Sequence, residues 1–341
     1  MTKKTPKSLL RKSGASGAYL IGIDGGGTKM LGVLAAADGR IIKKFKSGPA
    51  SYHAVGIEQV EKNLREVLEN LAGKELDEVK AFCLGFSGCG RPSDYEILDP
   101  MLKRVGIFNK TDLFGDMAIG LMGGALEPKG VIVIAGTGSI VYGIGEDGAS
   151  KRAGGYGQWY ADEGSGFRIG NKALRSLFMA QDGRIKPVSF QKPALKLLKL
   201  KQTNDLILWA TERNKAGTIK PDIASVAPFV IEAAVKGDKM AKQILKEEID
   251  EIVLGVRTVV KGIKSKGLPK VVLVGGLVEN NPYYFNAMKK AIQKAIKGIQ
   301  VSLPKSSPAV GAVIGAANKA GVKITPAFIR NVTTSWKKME K

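Results

Sequence analysis

The chain has 341 residues, more than one compact core usually holds, so we expect two domains. Hydrophobic residues make up 44% of it, yet no apolar run approaches the roughly 20 residues of a membrane-spanning helix. Two cysteines are too few for a disulfide framework or a structural metal site, and a single histidine excludes most histidine-based mechanisms. We therefore expect a cytoplasmic α/β protein without a membrane segment, in which carboxylates carry any acid–base chemistry.

The formal net charge is +22, and part of it lies in the first 17 residues, which contain five basic side chains and no acidic one. This composition predicts a disordered basic tail over residues 1–18. A basic balance attracts phosphate groups, but the sequence has no recognisable nucleic-acid-reading motif. We therefore expect no specific nucleic-acid partner, and we attribute the charge to solubility and to the attraction of anionic substrates.

Residues 19–47 predict a three-stranded antiparallel meander whose first turn reads Asp24-Gly25-Gly26-Gly27-Thr28-Lys29. A hairpin turn needs only one glycine with positive φ, so three in a row suggest bare backbone amides that receive an anion. Thr28 adds a hydroxyl group and Lys29 a positive charge, while Asp24 could hold a hydrated magnesium ion. On its own, the turn also fits a plain glycine-rich hairpin.

Hydrophobic periodicity predicts four further elements before residue 117. They are a helix over 57–72, a strand over 79–86 that leads into a loop beginning Ser87-Gly88, a helix near 93–104, and a strand over 112–116 that ends on Asp116. Asp116 could act as a general base or simply cap the small-residue helix that follows it.

The opening pattern then returns about 110 residues later. A strand over 131–135 leads into Gly136-Thr137-Gly138-Ser139, and a second strand and another Asp-Gly turn follow. Because this spacing is too long for a solenoid repeat, it indicates a duplicated domain.

The remainder of the chain contains two more glycine-rich segments. The first holds Gly154-Gly155-Tyr156-Gly157 and Asp162-Glu163-Gly164-Ser165, and the second, Gly275-Gly276-Leu277, follows a buried strand. Other predicted elements are a long helical region over 222–266, a strand over 299–303, a small-residue helix over 309–320 and a loose basic end over 330–341. No Walker A loop and no Gly-x-Gly-x-x-Gly after the first strand occur, so the common P-loop and Rossmann sites are not supported.

Taken together, these motifs resemble those of the N-acetylglucosamine kinase branch of the BadF/BadG/BcrA/BcrD ATPase family, within the actin/hexokinase/Hsp70 ATPase superfamily. The resemblance runs from about residue 19 to residue 322. It implies an α/β fold of two duplicated ribonuclease H-like domains with an interdomain cleft. Residues 19–125 would form the first domain and 126–325 the second, with helix 309–320 able to pack back on the first and 326–341 as a C-terminal extension.

The resemblance also implies an ATP site and a catalytic base. Asp116 stands where the family carries its catalytic aspartate, and Asp24 would hold Mg²⁺ through water. The positions implied in binding ATP and its phosphates are Gly25, Gly26, Gly27, Thr28, Lys29, Gly136, Thr137, Gly138, Ser139, Gly275, Gly276 and Leu277. Gly275-Gly276 can equally be read as an ordinary strand-to-helix turn.

The implied sugar site comprises Tyr52, His53, Ser87, Gly88, Asp116, Gly154, Gly155, Tyr156, Asp162 and Glu163. Three positions depart from the family pattern: Tyr52 replaces a common asparagine, Tyr156 a tryptophan and Ala161 a glycine. Asp162 and Glu163 could also cap the helix that follows them, and His53 could be a surface residue.

The resemblance implies transfer of phosphate from ATP to the 6-hydroxyl of an amino-sugar, with N-acetylglucosamine as the first candidate substrate. It is also compatible with a homodimer. A glucosamine or glucose kinase of the same fold remains open because of Tyr52. Two further alternatives are a non-catalytic sugar sensor and the activator ATPase of CoA-linked dehydratases, in which cysteines ligate an iron–sulfur cluster.

Overall fold

A computed structural model describes residues 18–340, which divide into two compact units. Residues 18–128 and 305–340 form the first unit, and residues Lys129–Pro304 form the second. The predicted basic tail lies outside the described residues, apart from its last residue. Whereas the sequence-based division assigned residues up to 325 to the second domain, the structure groups everything after Pro304 with the first unit.

The first unit contains a five-stranded sheet and six helices. Its strands are β1 (Tyr19–Gly25), β2 (Met30–Ala36), β3 (Ile41–Ser47), β4 (Val79–Phe86) and β5 (Thr111–Gly115). Its helices are α1 (Tyr52–Val55), α2 (Ile57–Leu71), α3 (Pro92–Val105), α4 (Asp116–Ala125), α13 (Pro308–Lys319) and α14 (Pro326–Glu340), with short 3₁₀ segments at Gly73–Glu78 and Phe108–Lys110.

The second unit contains another five-stranded sheet and eight helices. Its strands are β6 (Gly130–Ala135), β7 (Ser139–Ile144), β8 (Ser150–Ala153), β9 (Val271–Val274) and β10 (Val301–Ser302). Its helices are α5 (Gly166–Gln181), α6 (Gln191–Leu197), α7 (Asp205–Lys215), α8 (Ile219–Ala224), α9 (Ala227–Val235), α10 (Lys239–Gly262), α11 (Gly276–Glu279) and α12 (Pro282–Ala295).

The two sheets have the same topology, which confirms the predicted duplication. The first has strand order β3-β2-β1-β4-β5 and the second β8-β7-β6-β9-β10. In each, three antiparallel strands are followed by two strands parallel to the first strand of the unit. Because parallel strands end at the same edge, the loops after β1, β4 and β5 lie together, as do those after β6 and β9.

Helix α13 belongs to the first unit because its small residues allow close contact with β1 and α4. A Cβ atom on Gly311 would lie 1.9 Å from the Ile119 carbonyl oxygen, and one on Gly22 would lie 2.5 Å from the Val313 amide nitrogen. Nine of its twelve residues are buried. These contacts explain why the chain returns to the first unit after Pro304.

Two predictions about helices are wrong in detail. The long helical region over 222–266 consists of three helices, because Pro228 lies at the start of α9 and Gly237 has φ +101° after it. Asp238 then caps α10 by accepting a hydrogen bond from the Ala241 amide at 3.0 Å.

The C-terminal end is also ordered rather than loose. Helix α14 packs on β3 with Phe328, Val332 and Trp336 buried, and the Ile41 amide donates to Ser335 Oγ at 2.9 Å. The apolar residues at helical spacing outweigh the basic composition of this segment. Among residues 18–340, no helix is both long and apolar enough to cross a membrane.

Candidate functional site

The first glycine tip, residues 25–29, joins β1 to β2. The Gly26 amide donates to the Lys29 carbonyl at 2.8 Å, which closes the turn. A Cβ atom on Gly25 would meet Phe86 and Ala50 at 2.5 Å, so this glycine serves packing. Gly26 and Gly27 lack a positive φ, and a Cβ on Gly27 would meet nothing within 4 Å. Their bare backbone is therefore not required by the fold and suits the approach of a ligand.

Two carboxylates stand beside this tip. Asp24 ends β1 half-buried, and Asp116 begins α4 immediately after β5, exposed to solvent. Burial and then the negative charge of Asp116 raise the pKa of Asp24, while the charge of Lys29 opposes the shift. Within residues 18–340, no cluster of three histidine, cysteine or acidic side chains could hold a metal ion. Any cation here would therefore keep most of its ligands as water or as oxygens of a substrate.

Asp94, which sequence reasoning missed, organises the loops around the expected sugar residues of the first unit. Its buried carboxylate accepts hydrogen bonds from Tyr52 Oη at 2.6 Å and from the amides of Gly90 and Arg91 at 2.9 and 2.7 Å. Burial would raise the pKa of Asp94, but these hydrogen bonds outweigh it and hold the pKa below its usual range. The pattern was visible as a capping box, with an acidic residue three positions after Arg91 at the start of α3.

Tyr52 and His53 occupy the short helix α1. The hydrogen bond to Asp94, together with burial, raises the pKa of Tyr52 to about 12, and the ring lies 4.0 Å from that of His53. His53 is half-exposed, and a Cβ on Gly88 would come within 3.2 Å of its ring. The structure therefore brings Tyr52, His53 and the Ser87-Gly88 loop together, although the Tyr52 hydroxyl is already committed to Asp94.

Both cysteines lie near this edge of the sheet but are buried. Burial is the main cause that raises the pKa of Cys83 and raises that of Cys89 to about 12. Both thiols are buried within the first unit, and neither belongs to a cluster of three candidate metal ligands among residues 18–340.

The second glycine tip, residues 136–139, joins β6 to β7 and is fastened to the helix after it. The carbonyls of Gly136 and Thr137 accept from the amides of Gly166 and Phe167 at 2.8 and 3.2 Å. Ser139 donates its hydroxyl to the Glu163 carbonyl at 2.5 Å, so that side chain is engaged within the fold. Thr137 remains exposed at the tip.

The loop over residues 154–165 contains four glycines in the left-handed region, with φ from +70° to +89°. Gly164 is fixed by its amide, which donates to Glu248 at 2.7 Å, and by its carbonyl, which accepts from Tyr284 Oη at 3.1 Å. Tyr156 is 63% exposed with the Arg152 guanidinium 4.3 Å from its ring centre, which keeps an aromatic wall on this loop.

The two expected acidic residues of this loop have different surroundings. Asp162 is 3% exposed, has φ +68°, and accepts from the Ser139 amide at 3.4 Å. Its other oxygen pairs with Lys220 Nζ at 2.7 Å. Glu163 lines a cavity of about 330 Å³ together with Ser139, Gly154 and Tyr156. The second glycine tip and the 154–165 loop therefore share one cavity in the second unit.

The third glycine motif lies at the same edge, after β9. Gly275 has φ +111°, and a Cβ there would lie 2.5 Å from the Ala135 carbonyl oxygen, so the motif packs directly against the end of β6. Leu277 is 7% exposed within the core, which leaves only its backbone available to a nucleotide.

Comparisons with known proteins identify what the chain is similar to. The sequence profile of the BadF/BadG/BcrA/BcrD ATPase family matches residues 21–316. The chain is 36% identical over 301 residues to the N-acetylmuramic acid/N-acetylglucosamine kinase of Clostridium acetobutylicum, covering 87% of this chain and 97% of the relative. It is 28% identical over 313 residues to the N-acetyl-D-glucosamine kinase of Dictyostelium discoideum, again covering 87% and 97%.

Among solved structures, a Chromobacterium violaceum protein provisionally named N-acetylglucosamine kinase superimposes with a TM-score of 0.62 at 25% identity, covering 87% of this chain and 98% of that one. A Porphyromonas gingivalis structure matches with a TM-score of 0.59 at 17% identity, covering 88% and 99%, and supports the fold alone.

Proposed function

The chain belongs to the BadF/BadG/BcrA/BcrD ATPase family, and we propose that it is an ATP-dependent kinase that phosphorylates the 6-hydroxyl of an amino-sugar, N-acetylglucosamine first. The observation that carries the proposal is the pairing of an exposed carboxylate, Asp116, with an open glycine tip and its Lys29. A kinase needs a group that takes the acceptor proton beside groups that receive phosphate.

In this mechanism Asp116 accepts the proton of the sugar hydroxyl while the hydroxyl oxygen of the sugar attacks the γ-phosphorus of ATP. The bond from that phosphorus to the β–γ bridging oxygen breaks, ADP leaves with the electron pair, and Asp116 later releases the proton to solvent. General-base assistance of this kind contributes about 10²- to 10⁴-fold. The exposed backbone at Gly27, with the charge of Lys29, would stabilise the phosphate charge, whereas the Gly26 amide closes the turn.

The residues present fit a hydrated magnesium ion. Asp24 is half-buried, faces the charge of Asp116, and has no third acidic partner among residues 18–340. Asp24 would therefore hold the ion through water, and the ion would supply charge neutralisation for the transferred phosphate.

The second unit contains further groups that the proposal would use. Its glycine tip would bind phosphate, and the left-handed glycines of the 154–165 loop would let sugar hydroxyls approach the backbone and the Glu163 carboxylate closely. N-acetylated amino-sugars are favoured because the relatives that cover most of the chain are named for them. Gly275 and Gly276 would receive the adenosine part.

A substrate panel tests the proposal. The purified protein is incubated with ATP, Mg²⁺ and one sugar at a time, and ADP release is followed for N-acetylglucosamine, N-acetylmannosamine, glucosamine and glucose. We expect sugar-dependent ADP release, fastest with N-acetylglucosamine. Asp116→Asn should lower kcat by about 10²- to 10⁴-fold.

Asp112→Asn is the matched control, because Asp112 lies on β5, the strand that leads into Asp116, but pairs with Lys319 at 2.9 Å. It should keep wild-type turnover. Absence of sugar-dependent ADP release with every sugar, or an Asp116→Asn enzyme as active as wild type, would contradict the proposal.

A further inference from the structure

Lys220 stands at the second glycine tip although no sequence motif indicates it. Its Nζ lies 2.7 Å from Asp162 Oδ2. A Cβ atom on Gly138 would lie 3.1 Å from both of these atoms. That distance is tighter than an ordinary Cβ contact, so the glycine leaves room for the ion pair directly over the tip.

The backbone of α8 fixes the position of Lys220. Helix α8 packs on α5 so closely that a Cβ on Gly170 would lie 2.0 Å from the Ile223 carbonyl oxygen. The start of α5 in turn donates to the tip carbonyls through Gly166 and Phe167. Helix packing therefore fixes the backbone of Lys220, and the ion pair with Asp162 places its ammonium group.

The ion pair has an asymmetric environment. The Asp162 side chain is 5% exposed, whereas that of Lys220 is 32% exposed. A buried carboxylate needs a partner, and the Lys220 charge 2.7 Å away supplies it as an ion pair, although Asp162 Oδ2 accepts no well-aligned hydrogen bond. An ammonium has three donors and no acceptor, so its N–H groups can reach an anion from the solvent side.

We infer that Lys220 is a phosphate-binding residue of the second glycine tip, where Asp162 holds its ammonium in place over Gly138. This inference rests on the proposed function, because the anion it assigns to the site is the triphosphate of ATP. An ammonium acts as a point charge toward phosphate and strengthens binding through charge-assisted hydrogen bonds. The tip would then bind phosphate through backbone amides and a cation together.

A purely structural pair would also place Lys220 here, so the experiment must separate the two roles. Lys220→Gln keeps a donor for Asp162 but removes the charge, and Lys220→Arg keeps the charge. Lys129→Gln is the matched control, since Lys129 forms a comparable pair with Glu146 at 2.9 Å at the start of β6. Each variant is checked by its thermal unfolding midpoint.

Binding of a non-hydrolysable ATP analogue and of AMP is measured by calorimetry, without sugar. Lys220→Gln should weaken binding of the ATP analogue by about 10- to 100-fold, the range of a hydrogen bond to a charged group. AMP lacks the β- and γ-phosphates, so its affinity should stay at the wild-type value. Lys220→Arg should retain most of the wild-type affinity for the ATP analogue. Lys129→Gln should leave the affinities for both ligands unchanged.

An unchanged affinity of Lys220→Gln for the ATP analogue, or an equal loss for AMP, would overturn the inference and leave Asp162–Lys220 as a structural pair. This readout does not depend on the sugar. A wild-type protein that binds the analogue but phosphorylates no sugar contradicts the proposed function. An active kinase in which Lys220→Gln leaves the affinity for the analogue unchanged contradicts only the inference.

Discussion

The proposed role of Asp24 conflicts with its contribution to stability. Burial and the charge of Asp116 raise its pKa, so ionisation of Asp24 costs more in the folded protein than in the unfolded chain. The folded state therefore binds its proton more tightly, and stability falls as pH rises from the unfolded pKa through the raised folded pKa. A cation near Asp24 would offset this free-energy cost of ionisation, which is consistent with a site for a positively charged ligand.

Asp24→Asn should be more stable than wild type at neutral pH, with the difference vanishing at acid pH where both side chains are neutral. Its kcat should fall by about 10- to 100-fold, the usual cost of losing an outer ligand of a metal. Denaturant unfolding between pH 3 and 8 measures the first effect. Asp38→Asn is the control of opposite sign, because hydrogen bonds from Arg40 outweigh burial and lower the pKa of Asp38. A less stable Asp24→Asn at neutral pH would refute this account.

Asp94 acts through the residues it positions. Replacing Asp94 with Asn removes the negative charge of the group that accepts hydrogen bonds from Tyr52, Gly90 and Arg91. The side chain at this position is 1% exposed, so water cannot compensate. We expect Asp94→Asn to lower the free energy of unfolding by about 1–3 kcal/mol and to raise the KM for sugar more than the KM for ATP. Tyr52→Phe removes one hydrogen bond to the charged carboxylate and should cost about 1.5–3 kcal/mol. Equal changes in both KM values would argue against a role in placing the sugar loops.

At the scale of elements, the packing of α13 determines that the C-terminal segment belongs to the first unit. Its glycines let its backbone touch α4, since a Cβ on Gly311 would meet the Ile119 carbonyl at 1.9 Å and the Gly123 amide at 2.5 Å. No rotamer change relieves a clash with backbone, so the two helices would have to separate. Asp116, the proposed catalytic base, begins α4, and α13 therefore packs against the helix that carries it.

Gly311→Ala should lower the free energy of unfolding by about 3 kcal/mol or more. Gly267→Ala is the matched control, because a Cβ there meets nothing within 4 Å. That variant should stay within about 0.5 kcal/mol of wild type. Denaturant titration of both proteins tests the contact, and equal stabilities would mean that α13 does not pack as described.

The same scale shows what sequence reasoning could reach. Strands and glycine tips were predictable because apolar runs and turn residues are local signals. Pro228 and Gly237 are equally local signals for the breaks within 222–266, whereas the packing of α14 on β3 depends on distant partners. Lys220 could not be found because it lies about 80 residues from the tip that it contacts. Asp94 was readable as a capping residue, but its bond to Tyr52 was not.

At the scale of the whole molecule, each unit repeats one sheet and places a glycine tip after its first strand. The repeats have diverged in what stands beside the tip. In the first unit it is a pair of carboxylates, Asp24 and Asp116, and in the second it is the Asp162–Lys220 ion pair. Under the proposed function, one copy of the turn would act beside a base, Asp116, and the other beside the Lys220 ammonium.

The measurement that tests the account most directly is the identity of the product. Wild-type protein and Asp116→Asn are incubated with ATP, Mg²⁺ and N-acetylglucosamine, and the product is examined by phosphorus–proton correlation NMR. The account predicts one phosphate ester, coupled to the protons on carbon 6, formed by wild type and about 10²- to 10⁴-fold more slowly by the variant. An ester at another carbon, or ADP formed at the same rate without sugar, would contradict it.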